Sequence, residues 1–372
     1  MRALRANPLY ELVLFDRLDP DERRALAPLE QEDGLYGVLR PRGGPGLAVR
    51  SADRDTALLF LTLREPGPLP AYVRRVFGEA AQREIARLVA DGVFEIEADG
   101  VFVSGPAALG LLQEQSPERP GGRIAGISLA ALRHAQALAE DDPAALALRL
   151  YGYNSRPLTP RWRHLLASAD AVRSHLGIGT DGPNRRALDR SWEPAAPAAG
   201  WLSWVSRSAG EQTADSSPTH KLYVSPTPES LAGSFGAILA ALTAARPFQF
   251  KIGSDAWGLL RPDKIVAYFA DFERLAAAAG DLAGQLSGVP AQGVPFTAEI
   301  GGDGLLSWGI DPPPAEGAES WRFWVVQKLA RALLTARQAR EAEPWRFALD
   351  RLRLEGVDTA TWTPGGLLWR ER

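Results

Sequence analysis

His220-Lys221-Leu222-Tyr223-Val224-Ser225, then Phe248-Gln249-Phe250-Lys251-Ile252, then Arg261-Pro262-Asp263-Lys264-Ile265-Val266-Ala267-Tyr268-Phe269, are three short apolar segments that each carry or adjoin a lysine. Each has the length and the β-branched and aromatic content of a strand. Between the first two, Thr227-Pro228-Glu229 is a helix start, with a capping residue, a proline for the first turn and an acid for the dipole. That helix is expected to run from about Glu229 to Ala245, where Pro247 stops it. The connection from Gly253 to Leu260 reads as a loop, and Phe272 to Leu286 as a second helix. Strands alternating with helices indicate an α+β or α/β core with lysines projecting from a sheet. The period of two puts Lys221 and Tyr223 on one face of their strand and His220 on the other.

The lysines stand out because the chain avoids them. Its 372 residues hold four lysines against 38 arginines, and three of the four fall at Lys221, Lys251 and Lys264. Arginine stays protonated at any useful pH, whereas a desolvated lysine can lose its proton and act as a base. Single strand lysines usually face solvent; the clustering argues for function. Abstracting a proton needs such a base, and a departing anion needs cations around it. A lysine ringed by Lys251, Lys264 and Arg261 is expected to have its pKa lowered by like charge.

These three segments together resemble the phosphothreonine-lyase-type domain of secreted bacterial effectors. The same domain serves as the elimination module of class III and class V lanthipeptide synthetases. The resemblance covers roughly residues 219 to 300. It implies β-elimination of phosphate from phosphoserine or phosphothreonine, with Lys221 as general base and the acid two positions later. The family usually carries His at that acid position, and here it is Tyr223, whose phenol is a weaker acid near neutrality. His220 is adjacent but should face away. Lys251 matches a second lysine and Arg261 a phosphate-binding arginine, while Tyr268 matches a tyrosine near the site. Lys264, and Arg322 in Ser320-Trp321-Arg322-Phe323-Trp324, are assigned to the phosphate as well. The scheme calls on no metal or cofactor.

Toward the N-terminus, the first thirty residues read as a helical segment, with Asp19-Pro20-Asp21-Glu22 as an acidic helix start. Strand-like segments follow at Leu35 to Arg40, Leu47 to Arg50 and Ala57 to Leu63, the first two separated by the turn Gly43-Gly44-Pro45-Gly46. Helices at Pro70 to Phe77 and Glu79 to Ala90 lead into a hairpin turning at Ala98-Asp99-Gly100. Helix, helix, hairpin is a winged-helix outline. Behind three strands it resembles the small domains that hold leader peptides in ribosomal natural-product pathways, where the leader adds a strand to a sheet edge. A purely structural winged helix is an equal alternative, and a DNA-binding wing is the rival function. Four arginines (Arg74, Arg75, Arg83, Arg87) against six acids (Glu79, Glu84, Asp91, Glu95, Glu97, Asp99) give it no basic excess.

The organisation expected is therefore α+β. A helical segment (1–30) precedes a small sheet with a winged-helix-like domain (31–115) and a linker (116–124). A larger phospholyase-like domain (125–372) follows, with a helical insert at 125–218. Within the insert, Tyr151 to Trp162 interleaves aromatics with arginine, Trp201 and Trp204 form an aromatic pair, and Gly210 to Pro218 is a polar loop. Trp321 to Arg340 is an amphipathic helix whose stripe is core, and Trp345, Trp362 and Trp369 suggest that the C-terminus docks on the body. Asp311 and Glu299 are candidates to orient catalytic cations.

Zero cysteines exclude thiolate chemistry and disulfides, and His134, His164, His175 and His220 show no metal-ligand spacing. The formal charge of -3 gives no general attraction for nucleic acid or a membrane surface. A cytoplasmic enzyme acting on a phosphorylated precursor peptide, with a separate kinase and a cyclase, is the leading expectation. The alternatives are a non-catalytic precursor-binding subunit and a winged-helix regulator.

Overall fold

A computed structural model describes residues 2–43, 47, 49–76, 81–112, 121–196, 198–207, 219–312 and 320–365, with only the backbone for residues 28–33, 74 and 76. Most of the Gly43–Gly46 turn, most of the 116–122 linker, the loop 210–218, Pro313, Pro314 and Trp369 lie outside the described residues. The fold is mixed α+β. It divides into two compact units, Met1–Ser116 with Arg331–Glu355, and Pro117–Ala330 with Gly356–Arg372. No helix among the described residues is long and apolar enough to cross a membrane.

In the first unit the N-terminal segment departs from the helical expectation. Strand β1 (Leu4–Ala6) pairs with β5 (Phe94–Ala98), and β2 (Tyr10–Leu14) pairs with β3 (Gly37–Pro41), itself paired with β4 (Arg50–Ala52). A 3-10 turn at Phe15–Arg17 comes first, and α-helix begins at Pro20. Tyr10-Glu11-Leu12-Val13-Leu14 has strand composition, and the sheet partners that decide the matter lie far away in sequence. Ala57 to Leu63, expected as a strand, is instead part of the helix Arg54–Thr62. Asp53 caps it by accepting the Thr56 N–H at 2.7 Å, and its Leu and Ala content favours helix. Helices Val73–Val76 and Ala81–Ala90 lead into β5 and β6 (Val101–Val103). Asp99 and Gly100 both take positive φ between Ala98 and Val101, the two-residue turn that Asp-Gly favours.

The second unit opens with helices Arg123–Ala135, Pro143–Tyr151, Pro160–Leu165, Ala169–His175 and Arg185–Ser191. A seven-stranded sheet follows. It contains β7 (Trp192–Pro194), β8 (Trp201–Ser206), β9 (His220–Val224), β10 (Gln249–Gly253), β11 (Ile265–Phe269), β12 (Ala298–Ile300) and β13 (Leu306–Ile310). The order is β12-β13-β9-β11-β10-β8-β7, and every neighbouring pair is antiparallel. That settles α+β over α/β for the core.

Alternation divides the sheet chemically. Leu222, Val224, Phe250, Ile252, Ile265, Ala267 and Trp204 face the helices Pro228–Ala245 and Phe272–Gln285, whose Leu231, Phe235, Ile238, Leu275 and Leu282 complete one buried core. Phe250 stacks on Trp204 at 5.0 Å and meets the edge of Trp192 at 4.6 Å. Lys221, Tyr223, Lys251, Val266 and Tyr268 occupy the other face, since β9, β10 and β11 run in register with Tyr268 opposite Lys221 and Val266 opposite Lys251. Burial of the apolar face, on the order of 2 kcal/mol per large side chain, is what fixes the register that aims the lysines.

The Gly253 to Leu260 connection holds a helical turn, Ala256–Leu260, where a loop was expected. Asp255 caps it through Gly258 N–H at 2.8 Å. The stripe on Trp321–Gln338 is core as expected, with Trp321, Val325, Leu329 and Leu333 fully buried. Trp345 is buried in the first unit and Trp362 in the second, where its ring meets the edge of Phe296.

Candidate active site

Cations and aromatic rings alternate across the polar face. The Lys221 and Lys251 amines each stand 5.5 Å from the centre of the Tyr268 ring. Lys251 also lies 4.3 Å over Trp201, and the Arg261 guanidinium shares that ring at 5.0 Å. Arg261 and Arg322 in turn flank Tyr151 at 5.5 and 4.3 Å. Ring faces let cations approach one another without the desolvation cost of carboxylates between every pair.

Two carboxylates anchor the ends of this row. Lys221, 6% exposed, reaches the surface only at its edge and is ion-paired with Asp311. At the other end Asp263 takes both prongs of Arg261, Nε at 2.9 Å and Nη2 at 2.8 Å, accepts the Tyr151 phenol at 2.9 Å and pairs with Arg322 at 2.8 Å. Burial would raise the Asp263 carboxyl, but Arg322 and Arg261 outweigh it and hold the group well below the usual range. Burial raises Asp311, against the pull of Lys221 and Lys251. Burial also lifts the phenols. Tyr151 goes up to about 12, and Tyr223 and Tyr268 rise as well, so all three keep their protons at neutral pH.

Lys251 is the group whose proton the site loosens. Burial first, then Lys221 and Arg261, lower its pKa to about 8, while Asp263 and Asp311 oppose the shift. The residue is half-buried.

The structure thus brings Lys221, Lys251, Arg261, Tyr268 and Tyr223 together, sets His220 and Lys264 apart, and places Arg322 behind Asp263. His220 lies on the opposite face between Phe272 and Trp308, and burial lowers its pKa. Lys264 is fully buried, its amine donating to Pro226 O at 2.9 Å and Gln292 Oε1 at 2.8 Å. A cation with no exposed surface is not a phosphate ligand, and this assignment is corrected. Arg322 is corrected on the same ground. It is 1% exposed and holds Asp263, Pro295 O (3.1 Å) and Tyr151 O (2.7 Å), which makes it a buttress beneath the site. Tyr223, at 3% exposure, is in the floor beside Val266 and Val294. Glu299 accepts the Ile124 N–H at 3.1 Å and so serves the helix Arg123–Ala135.

Asp263, which sequence reasoning passed over, and Tyr151 and Trp201, which it marked only as aromatics, also contact these cations. The aromatic-arginine segment beginning at Tyr151 was the available signal. Its role is explained by Asn154, which holds positive φ and donates to Gln292 O and Gly293 O at 2.8 and 2.9 Å, pinning the segment over the site.

Lys264 belongs to that pinning network, since the Gln292 amide donates onward to Asn154 O and Leu260 O. A Lys264→Met variant is expected to lose about 1–3 kcal/mol of stability by leaving two buried acceptors unpaired. Burial lowers the Lys264 pKa from 10.5 to about 7. The unfolded chain therefore holds this proton across a window where the folded one does not. The resulting stability is complete above about pH 10.5 and is lost as pH falls to about 7. Thermal melts from pH 6 to 10 should show the wild type gaining stability with pH more steeply than the variant; parallel curves would remove the lysine from the account.

No protein-family model and no curated protein matches the chain. Among solved structures it is similar to an effector protein from Pseudomonas syringae pv. tomato strain DC3000, at 12% identity and a TM-score of 0.38, over 65% of this chain and 97% of that one. It is also similar to the type III effector/phosphothreonine lyase OspF from Shigella flexneri, at 10% identity and a TM-score of 0.30, over 41% of this chain and 89% of that one. A third likeness is to the phosphothreonine lyase effector VirA (SpvC) of Chromobacterium violaceum, at 11% identity and a TM-score of 0.28, over 37% and 77% of the two chains.

Proposed function

We propose that this protein removes phosphate from phosphoserine or phosphothreonine in a peptide by β-elimination, leaving dehydroalanine or dehydrobutyrine. The observation that carries the reading is the placement of Lys251, Lys221 and Arg261 along one ring-lined surface, where burial and the neighbouring cations lower the Lys251 pKa to about 8. An anion site that also weakens the hold of one lysine on its proton suits a reaction needing a base and a cationic cradle at once.

In this scheme Lys221 and Arg261 hold the phosphate oxygens, and the Lys251 amine takes the α-proton. The electron pair of that C–H bond becomes the Cα=Cβ double bond as the Cβ–O bond breaks, and phosphate leaves with the bonding pair. A phenol supplies the proton that the departing oxygen needs, Tyr268 from the surface or Tyr223 from the floor. The family resemblance gave the base role to Lys221. The Asp311 carboxylate beside Lys221 suits a fixed cation, and the lowered pKa of Lys251 suits the base, so the two roles are exchanged here.

The finer form of the proposal is a ribosomally made precursor peptide as substrate, phosphorylated by a separate kinase and passed to a cyclase. The first unit would hold the leader by adding a strand to β2 or β4, the outer strands of its sheet. Mass spectrometry of a phosphoserine/phosphothreonine peptide library, incubated with wild type and with Lys221→Ala, tests the function. Loss of the elements of phosphoric acid with wild type, reduced in the variant, is the expected result. No loss from any peptide, leader attached or not, would leave a precursor-binding subunit that retains the fold.

A further inference from the structure

Trp257 is exposed to 69%. Of the eleven tryptophans, leaving aside Trp369 outside the described residues, seven are buried, Trp201 and Trp308 are half-buried, and Trp257 alone is exposed. A single exposed apolar side chain is ordinary. Its setting is what distinguishes this one.

The helical turn Ala256–Leu260 buries Ala256, Gly258, Leu259 and Leu260, so Trp257 is the one residue of the turn left outside. The turn is also clamped. Asp255 caps it through Gly258 N–H, Ser254 N–H bonds Gly200 O at 3.1 Å, and a Cβ at Gly258 would come within 2.7 Å of Gly253 Cα. The close approach of those two glycines fixes the turn against the end of β10, the strand that carries Lys251. An indole held on a rigid element costs a partner little ordering entropy.

Trp257 further lies six residues after Lys251 and four before Arg261. Arg261 is the C-terminal cap of this turn, so its backbone lies one helical pitch, about 5–6 Å, from that of Trp257. An extended peptide advances about 3.3–3.6 Å per residue. A phosphorylated residue held at Arg261 therefore brings the residue one or two positions away within reach of the indole.

We propose that Trp257 is a specificity determinant, the surface on which an apolar residue flanking the phosphorylated residue of the peptide substrate docks. The inference rests on the phosphate-elimination reading and adds that the protein reads local peptide sequence as well as phosphate. The occupant is the substrate peptide, because Arg261 at the end of the turn is the cation assigned above to the phosphate, and a phosphorylated chain supplies an anion and an apolar neighbour at that spacing.

The test uses two phosphothreonine peptides identical except for leucine or glycine on both sides of the phosphothreonine. Wild type is expected to prefer the leucine peptide about tenfold in kcat/KM, the range that apolar contacts supply. Trp257→Ala should bring that ratio to about one, and Trp257→Phe should keep part of it. Equal ratios in wild type and Trp257→Ala overturn the inference while leaving the elimination reading intact. Light scattering that shows a dimer in wild type and a monomer in Trp257→Ala, with the ratio unchanged, also overturns it, because a second copy is then the occupant. If wild type eliminates phosphate from neither peptide, the elimination reading fails, and calorimetric binding of the same peptides decides the inference alone. A tenfold binding preference abolished in Trp257→Ala supports it, and no preference or no binding sinks it.

Discussion

Lys251→Met should lower kcat for phosphate elimination by about 10³-fold, within the range that a positioned base contributes. Lys251→Arg should not restore the rate, since a guanidinium keeps its proton at every working pH. The pH profile carries the sharper signature. The base must be unprotonated in the free enzyme, so wild-type kcat/KM is expected to climb tenfold per pH unit below about 8 and to level off above it. Lys221 helps to depress that value by like charge, so Lys221→Met should weaken phosphate binding, raise KM and move the break to higher pH. If Lys221 were the base, the result would invert, with Lys221→Met abolishing turnover and Lys251→Met retaining it. Stopped assays on one phosphothreonine peptide across pH 6 to 10 separate the two assignments. Residual activity of Lys251→Met above a tenth of wild type would sink this one.

What the sequence made legible is the sheet face. Lys221, Tyr223 and Lys251 lie where a period of two puts them, because the apolar face of that sheet packs on the helices and a one-residue slip would turn the lysines into that core. Antiparallel order, by contrast, depends on which strands meet. Nothing in Ile265 to Phe269 says that it inserts between β9 and β10. Distance along the chain explains the residues missed. Asp263 acquires its role from Tyr151, 112 positions earlier, and from Arg322, whose helix starts far downstream. Lys264 misled for a local reason. It sits one residue before a strand that faces the site, but the turn through Pro226 and Gln292 closes over its amine. The N-terminal strands show the same limit. β1 and β5 stand ninety residues apart, and a three-residue strand has no periodicity to read.

The largest loss of stability is expected at Asp263. Its carboxylate is 3% exposed and serves Arg261, Arg322 and Tyr151 together, while Arg322 behind it has no appreciable contact with water. Asp263→Ala leaves that guanidinium buried without its counter-charge, a defect of about 3–5 kcal/mol. Asp263→Asn keeps the shape but loses the charge, so it should fall between the variant and wild type. The low carboxyl pKa sets the pH dependence. A group depressed in the folded state adds stability that is complete above its unfolded value, near 4, and is lost as pH falls further. Wild type should therefore lose stability below about pH 4 in a way that Asp263→Ala does not. Removing both charges is the decisive comparison. In Asp263→Leu/Arg322→Met no buried charge is stranded, so urea unfolding at pH 7 should recover most of the deficit of the single variant. Elimination activity should stay low, because Arg261 has lost the carboxylate that fixes its fork and the phosphate has lost a positioned ligand. A double variant as unstable as Asp263→Ala would mean that the pair's hydrogen bonds, and not the stranded charge, hold this part of the fold. One that regains activity as well as stability would show that Arg261 needs no such anchor.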